Sequence, residues 1–446
     1  MLSSRSSLHP LKSDILNDRK FDMKKDTLCV QGGWTPKKGE PRQVPIYAST
    51  TFKYETTQQM GDLFDLKESG YFYTRLANPT NDQVAKKIAA LEGGVAAMLT
   101  SSGQAASTFA VLNLCNAGDH VVSSAQIYGG TFNLFAVSLK KIGIEFTFVD
   151  PDATPAEIQK AFRPNTKCVF GETVANPSGV VLDIAKFAKI AHKNGVPLII
   201  DNTFPTPILC RPFDFGCDII THATTKYMDG HSSQVGGCIV DSGNFDWEKH
   251  ADKFPGLVEP DESYHGLSYT KAFGKLAYIT KCTAHLMRDF GAIASPFNAY
   301  LLNLGLESLH VRIRRHAESA LKIAKWLKTQ KKVAWVNFAG LPDSPYRKLV
   351  KKQFDGPSPC GVMTFGIKGG RKASIKFMDS LKLIGIVTHV ADAWSCVLHP
   401  ASHTHRQLTD AQLKAAGIPP DLIRLSVGLE DPDDLIDDLK QALAKV

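Results

Sequence analysis

Between Asn81 and Ala223 the sequence switches repeatedly between two hydrophobic periods, a pattern that few architectures accommodate. Short apolar runs rich in β-branched residues (HVVSSA, EFTFVD, KCVFGET, VPLIIDNT, CDIITHA) are bounded by turn formers. Between them lie stretches with apolar residues three and four apart, among them NDQVAKKIAALEG, GGTFNLFAVSLKKIG, PAEIQKAF and DIAKFAKIAHKNG. The first pattern predicts strands and the second helices. Their alternation predicts an α/β fold with a mostly parallel sheet covered by helices on both faces. Such sheets take ligands beyond the C-terminal ends of their strands.

The flanks read differently. Residues 23–77 carry turn formers and aromatics with little periodicity, as an extended arm would, and 78–308 form the large domain. From about His310 a long helix (VRIRRHAESALKIAKWLKTQ) precedes VAWVNFAG, CGVMTFGIKGG, a helix around KASIKFMDSL, and RLSVGLE. This predicts a separate α+β domain over 309–446. The acidic run DLIDDLK in its last helix reads as a solvated face. Residues 1–22 are polar and Ser-rich, with Asp14, Asp18 and Asp22 interrupting any basic transit pattern, and read as a flexible extension ahead of Met23. No apolar run approaches the roughly 20 residues of a membrane helix. Nine scattered cysteines without a CxxC pair predict reduced thiols in a cytoplasmic protein. The net charge of +8 comes from dispersed lysines without interleaved aromatics, so no nucleic-acid partner is expected.

Candidate chemistry sits at the predicted strand ends. Neither GxGxxG nor GxxxxGK[ST] occurs, and GIKGGRK has the wrong spacing for a phosphate loop and reads as a turn. SSGQAA follows an apolar run and opens a helix, which directs the amides of Gly103 and Gln104 at an anion. VPLIIDNT ends on Asp201, a carboxylate that needs a cation if buried. THATTKYMDGH puts Lys226 just past the next strand, flanked by hydroxyls. An anion-binding helix start, an acid and a strand-end lysine together suit pyridoxal 5'-phosphate: phosphate to the helix, ring nitrogen to Asp201, aldehyde to Lys226.

YTRLANPT, LEGGVAA, SSGQAA, IYGGT, ETVANP, DNTF, TKYMDGH, HPAS and LIRLSVGLE occur in that order. With them the chain resembles the Cys/Met-metabolism family of fold-type-I pyridoxal-phosphate enzymes, from about Thr27 to its C-terminus. YHG at 264–266, AFGKLAYITK and SPFNA are similar to its O-acetylhomoserine sulfhydrylase branch. The resemblance implies a seven-stranded sheet in the large domain and a γ-replacement of acetate by sulfide or a small thiol. It implies that Lys226 carries the cofactor, Asp201 keeps its ring nitrogen protonated and Tyr128 stacks on the ring. Gly103, Gln104, Thr203 and Thr225 would complete the cofactor contacts. Tyr73 and Arg75 would reach it from a neighbouring subunit, so a dimer would be required and a tetramer expected. Asn176 and Arg424, with Tyr73, would bind the substrate. HPASHTH offers His399, His403 and His405 at tempting spacing, but the family segment implies no metal.

Three positions depart from that pattern. The family carries Ser three residues before the lysine, where this chain has Ala223; the neighbouring Thr224, on extended backbone, would point the other way. The family's Asn and Gly-Asp before HPAS are replaced in THVADAWSC, with His389, Ala391, Trp394 and Cys396 at or near the changed positions. Asp229 stands where a small residue is usual. Elimination by a γ-lyase, a cystathionine γ-synthase-like activity and a non-catalytic relative of the fold are the alternatives these departures leave open.

Overall fold

The fold was analysed in a computed structural model that describes residues 23–403, 406 and 418–446; the predicted extension at 1–22 lies outside them. The first sheet contains β1 (Ala96–Thr100), β2 (His120–Ser124), β3 (Glu145–Val149), β4 (Thr166–Glu172), β5 (Leu198–Asp201), β6 (Ile219–His222) and β7 (Gly237–Asp241). Their order is β1-β7-β6-β5-β4-β2-β3. β7 runs antiparallel to both its neighbours and all other pairings are parallel. The predicted seven-stranded, mostly parallel sheet is therefore present. β7 itself was not legible as a strand in the sequence. The connection 223–236 that precedes it holds a turn and no crossover helix, so the chain can only return antiparallel.

Local chemistry sets the flanking helices. Pro79–Glu92 starts under an Asn78 cap with Pro at its first position and stops at Gly93, whose φ of +83° closes the turn. Gly103–Leu112 is capped by Ser102, whose hydroxyl accepts from the Ala105 amide. Ile184–Lys193 is capped by Asp183 and turns Ile184, Phe187, Ala188 and Ala191 into the sheet. β4, β5 and β6 are buried on both faces, as strands between two helical layers must be.

The long helix expected from about His310 begins earlier and spans Pro296–Lys328. Ser295 caps it and Pro296 occupies its first position, a start signal lying within SPFNA. Leu302, Leu306, Leu309 and Ile313 pack into the core of the first sheet. Ile323, Ala324 and Leu327 join Phe365, Phe377, Leu435 and Leu439 in a second core. One rigid helix thus serves both.

That second core lies on a five-stranded sheet of β8 (Val333–Asn337), β9 (Val362–Ile367), β10 (Gly385–Ile386), β11 (Cys396–Leu398) and β12 (Leu422–Ser426), in order β10-β11-β12-β9-β8. GIKGGRK is the turn leading from β9 into the helix Gly370–Met378. The final helix, Pro432–Ala444, corrects one expectation. Asp434 and Asp437 are exposed, but Asp438 is buried and accepts the amides of Lys382, Leu383 and Ile384 at 2.9 Å each. Burial opposes its ionisation, yet those amides hold the carboxyl below the usual range. No described helix is long and apolar enough to cross a membrane.

Candidate active site

The predicted residues gather where parallel strands end. β1 leads through Ser102 to Gly103 and Gln104, whose amides, at the first turn of a helix, have no partner among the described residues. Gly103 is required by close approach: a Cβ there would lie 2.6 Å from that of Ala223, just past β6. Past β2, Tyr128 keeps its ring 49% exposed while its amide donates to Glu172 Oε2 at 2.6 Å. A Cβ on Gly130 would lie 2.5 Å from that ring, so glycine leaves it room.

β4 and β5 end on adjacent carboxyls, since Glu172 pairs with Asp201 in register. Asp201 Oδ1 accepts the Thr203 amide at 3.0 Å and its hydroxyl at 2.5 Å. The same hydroxyl accepts the Ala223 amide at 2.9 Å, tying the end of β5 to the segment that carries Lys226. Burial raises the Asp201 carboxyl; burial and then the Asp201 charge raise Glu172 well above the usual range. Of the two, Glu172 is the one whose charge is opposed by burial and by its neighbour together. Sequence reasoning missed it, although an acid closing the apolar run KCVFGE is the same signal that identified Asp201.

Lys226 follows β6 within a turn over 224–229. Burial, and then the charge of Arg424, push its amine down to about 8. Its Nζ lies 3.3 Å from His389 Nδ1. Thr225 beside it exchanges hydrogen bonds with Gly236, donating to the carbonyl at 3.1 Å and accepting the amide at 3.0 Å. Because Thr224 stands in this turn, the extended-chain argument for its direction does not apply; its hydroxyl is buried without a partner. Asp229 now has a structural account. Fully buried, it accepts the Ser233 hydroxyl at 2.7 Å and the amides of Ser233 and His231 at 3.0 and 3.2 Å, closing the turn after the lysine.

Arg424 arrives from the second sheet. Strand alternation turns Ile423 and Leu425 into the second core and Arg424 the other way. It is 6% exposed, and it donates to Asn176 Oδ1 at 3.3 Å and to the carbonyls of His389 and Thr388 at 3.0 and 3.3 Å. Among the described residues no carboxylate lies within ion-pair reach of it. A buried guanidinium without a counter-charge is built to receive an anion.

Tyr73 and Arg75 are not part of this cluster. Arg75 donates to the Arg288 carbonyl and lies over the Tyr73 ring at 5.1 Å, while Tyr73 bridges to Thr51. Of the HPASHTH histidines, His399 and His403 lie together, the His399 amide donating to His403 Nδ1 at 3.4 Å. His399 meets Ser402 Oγ at 2.9 Å and the Pro420 carbonyl at 2.8 Å, and His405 lies outside the described residues.

The donor set fits pyridoxal phosphate. Two amides unpaired among the described residues suit its phosphate at a helix start, a buried carboxylate held by Thr203 suits its ring nitrogen, and a depressed amine suits its aldehyde. The family model of the Cys/Met metabolism PLP-dependent enzymes matches residues 26–444. The chain belongs to that family. Its cofactor is pyridoxal phosphate. It is 43% identical over 427 residues to O-acetyl-L-homoserine sulfhydrylase 1 of Thermus thermophilus, covering 95% of this chain and 100% of that one. It is 44% identical over 420 residues to the homocysteine synthase of Schizosaccharomyces pombe, covering 94% and 97%. A crystal structure from Campylobacter jejuni, assigned as an O-acetylhomoserine (thiol)-lyase and containing a pyridoxyl-lysine monophosphate, superposes with a TM-score of 0.91 at 37% identity, covering 95% and 100%.

Proposed function

We propose that this family member catalyses a γ-replacement in which O-acetyl-L-homoserine and sulfide give L-homocysteine and acetate; a small thiol such as methanethiol would give methionine. The observation that carries the proposal is a depressed lysine amine beside a buried arginine without a counter-charge among the described residues, in a chain 43% identical over 427 residues to an O-acetyl-L-homoserine sulfhydrylase. The Cγ–O bond to acetate breaks and a Cγ–S bond forms, with the thiol proton released.

Bound at Lys226, pyridoxal phosphate supplies the electron sink for charge that develops on the substrate carbon skeleton. Lys226 holds it and, when its amine is free, moves protons at Cα and Cβ. Asp201, fixed by Thr203, would keep the ring nitrogen protonated, and Tyr128 would stack against the ring. The Gly103 and Gln104 amides would hold the phosphate, and the Thr225 hydroxyl would join them by turning from the Gly236 carbonyl to which it donates. Arg424, aimed by Asn176, clamps the substrate carboxylate as a fork. Tyr73 and Arg75 complete the phosphate and substrate contacts of a neighbouring subunit, so the unit of activity is a dimer, assembled in pairs as a tetramer. Their lack of contact with the Lys226 cluster in their own chain supports this. Nine free, buried cysteines suit a reducing, cytoplasmic setting.

The test is a product assay with pyridoxal phosphate and O-acetylhomoserine, with and without sulfide. Sulfide-dependent homocysteine that disappears in Lys226→Ala supports the proposal. Oxobutyrate formed regardless of sulfide makes the chain a γ-lyase instead.

A further inference from the structure

The loop before β11 meets the cofactor lysine at His389. We propose that His389 is a positioning residue for Lys226, accepting an N–H of its free amine at Nδ1 so that the amine is held toward the cofactor site. The inference rests on the assignment of Lys226 as the cofactor lysine. Four observations support it. Nζ and Nδ1 are 3.3 Å apart. The other ring nitrogen, Nε2, is buried without a hydrogen-bond partner and lies 3.5 Å from Asp392 Oδ2. A carboxylate on that side favours the Nε2–H tautomer, which leaves the Nδ1 lone pair for lysine. Asp392 is itself braced by the Ser232 hydroxyl and by the Trp394 amide at 2.8 Å. Finally, the backbone of His389 is pinned, its carbonyl accepting from Arg424 at 3.0 Å and from Cys396 Sγ at 3.3 Å.

Held this way, the amine would attack the cofactor aldehyde from a restricted set of rotamers, a C=N bond forming as the carbonyl oxygen leaves as water. Lysine otherwise brings one of the largest losses of side-chain freedom to any ordered site. The arrangement works only while the imidazole is neutral. An imidazolium has no lone pair to offer, and it would face the charges of Lys226, on the turn after β6, and Arg424, on β12. Asp392 in its own loop and Asp229 on the lysine turn oppose them. Burial first, and then Lys226, lower the imidazole from its ordinary range, so it is neutral at pH 7.

The experiment follows the visible imine band as pyridoxal phosphate is added to cofactor-free full-length protein between pH 5 and 9. Wild type, H389N, H389L, D392N and K226A are compared for attachment rate, independently of turnover. In wild type the rate should fall more steeply than one decade per pH unit on the acid side, because amine and imidazole must both lose a proton. H389N, nearly isosteric and unable to titrate, should fall by about one decade per unit. H389L should attach about tenfold more slowly on the alkaline plateau. D392N should move the steep limb to lower pH by removing the anion that favours imidazolium. The same pH dependence in wild type, H389N and D392N overturns the proposal. A band that persists in K226A would instead overturn the assignment of the lysine itself.

Discussion

At the scale of single residues, this site depends on groups whose charge is only partly compensated. Arg424 is buried with carbonyl and amide oxygens around it, which satisfy its donors but not its charge. Arg424→Lys keeps a charge and loses the fork. We expect its KM for O-acetylhomoserine to rise at least tenfold, with the imine band intact; steady-state kinetics beside a spectrum check both. Ala223 shows the opposite case, a missing donor. Its methyl packs against the start of the Gly103 helix, where a hydroxyl could reach the phosphate. One hydrogen bond to a charged group is worth about 1.5–3 kcal/mol. Ala223→Ser should therefore tighten pyridoxal phosphate by about tenfold or more in a spectral titration. Residue chemistry alone had singled out Gly103, Gln104, Asp201 and Lys226, and the family resemblance added Arg424. Glu172 carried the same strand-end signal as Asp201 and was missed; its place beside that acid came only from the register of β4 against β5.

Secondary-structure elements act here as carriers of ends. The helix Gly103–Leu112 approaches the segment after β6 so closely that position 103 has no room for a side chain. Gly103→Ala should displace the two free amides and abolish the imine band while the fold survives in circular dichroism. The last helix carries an end of another kind, with Asp438 gathering three amides of the segment before β10. Asp438→Ala leaves those amides unpaired and should cost about 2 kcal/mol in urea unfolding. The sign with pH follows from a carboxyl whose folded-state pKa is lowered. Its contribution is complete above the ordinary aspartate range and fades as pH falls through the folded-state value. Wild type and variant should then converge below about pH 4. Element identities were largely readable from periodicity. β7 was not, because a fully buried run such as GCIVD lacks alternation and its direction depends on the loop before it.

For the whole molecule, the arm residues bear on what completes the site around Lys226. Arg75 and Tyr73 make their contacts with Arg288, with Thr51 and with each other. If they serve a neighbour's site, two inactive chains can repair one another. Arg75→Ala carries an intact lysine and K226A an intact arm, so half of the sites in a mixed dimer receive both. Equal amounts, unfolded and refolded together, should recover about a quarter of wild-type activity from two nearly inactive parents. No recovery would place both residues in their own chain's chemistry.

The sequence by itself determined the alternating elements, the strand-end positions of Asp201 and Lys226, the capped helix start at Gly103 and the family motifs, because each is a local pattern of a few consecutive residues. Tertiary structure decided which of those ends meet. It placed Glu172 beside Asp201, turned Arg424 away from its own core toward Asn176, and brought His389 within 3.3 Å of a lysine 163 residues earlier. Such contacts come from the packing of two sheets against a shared helix, Pro296–Lys328, and packing is a property of distances between segments that no local pattern records.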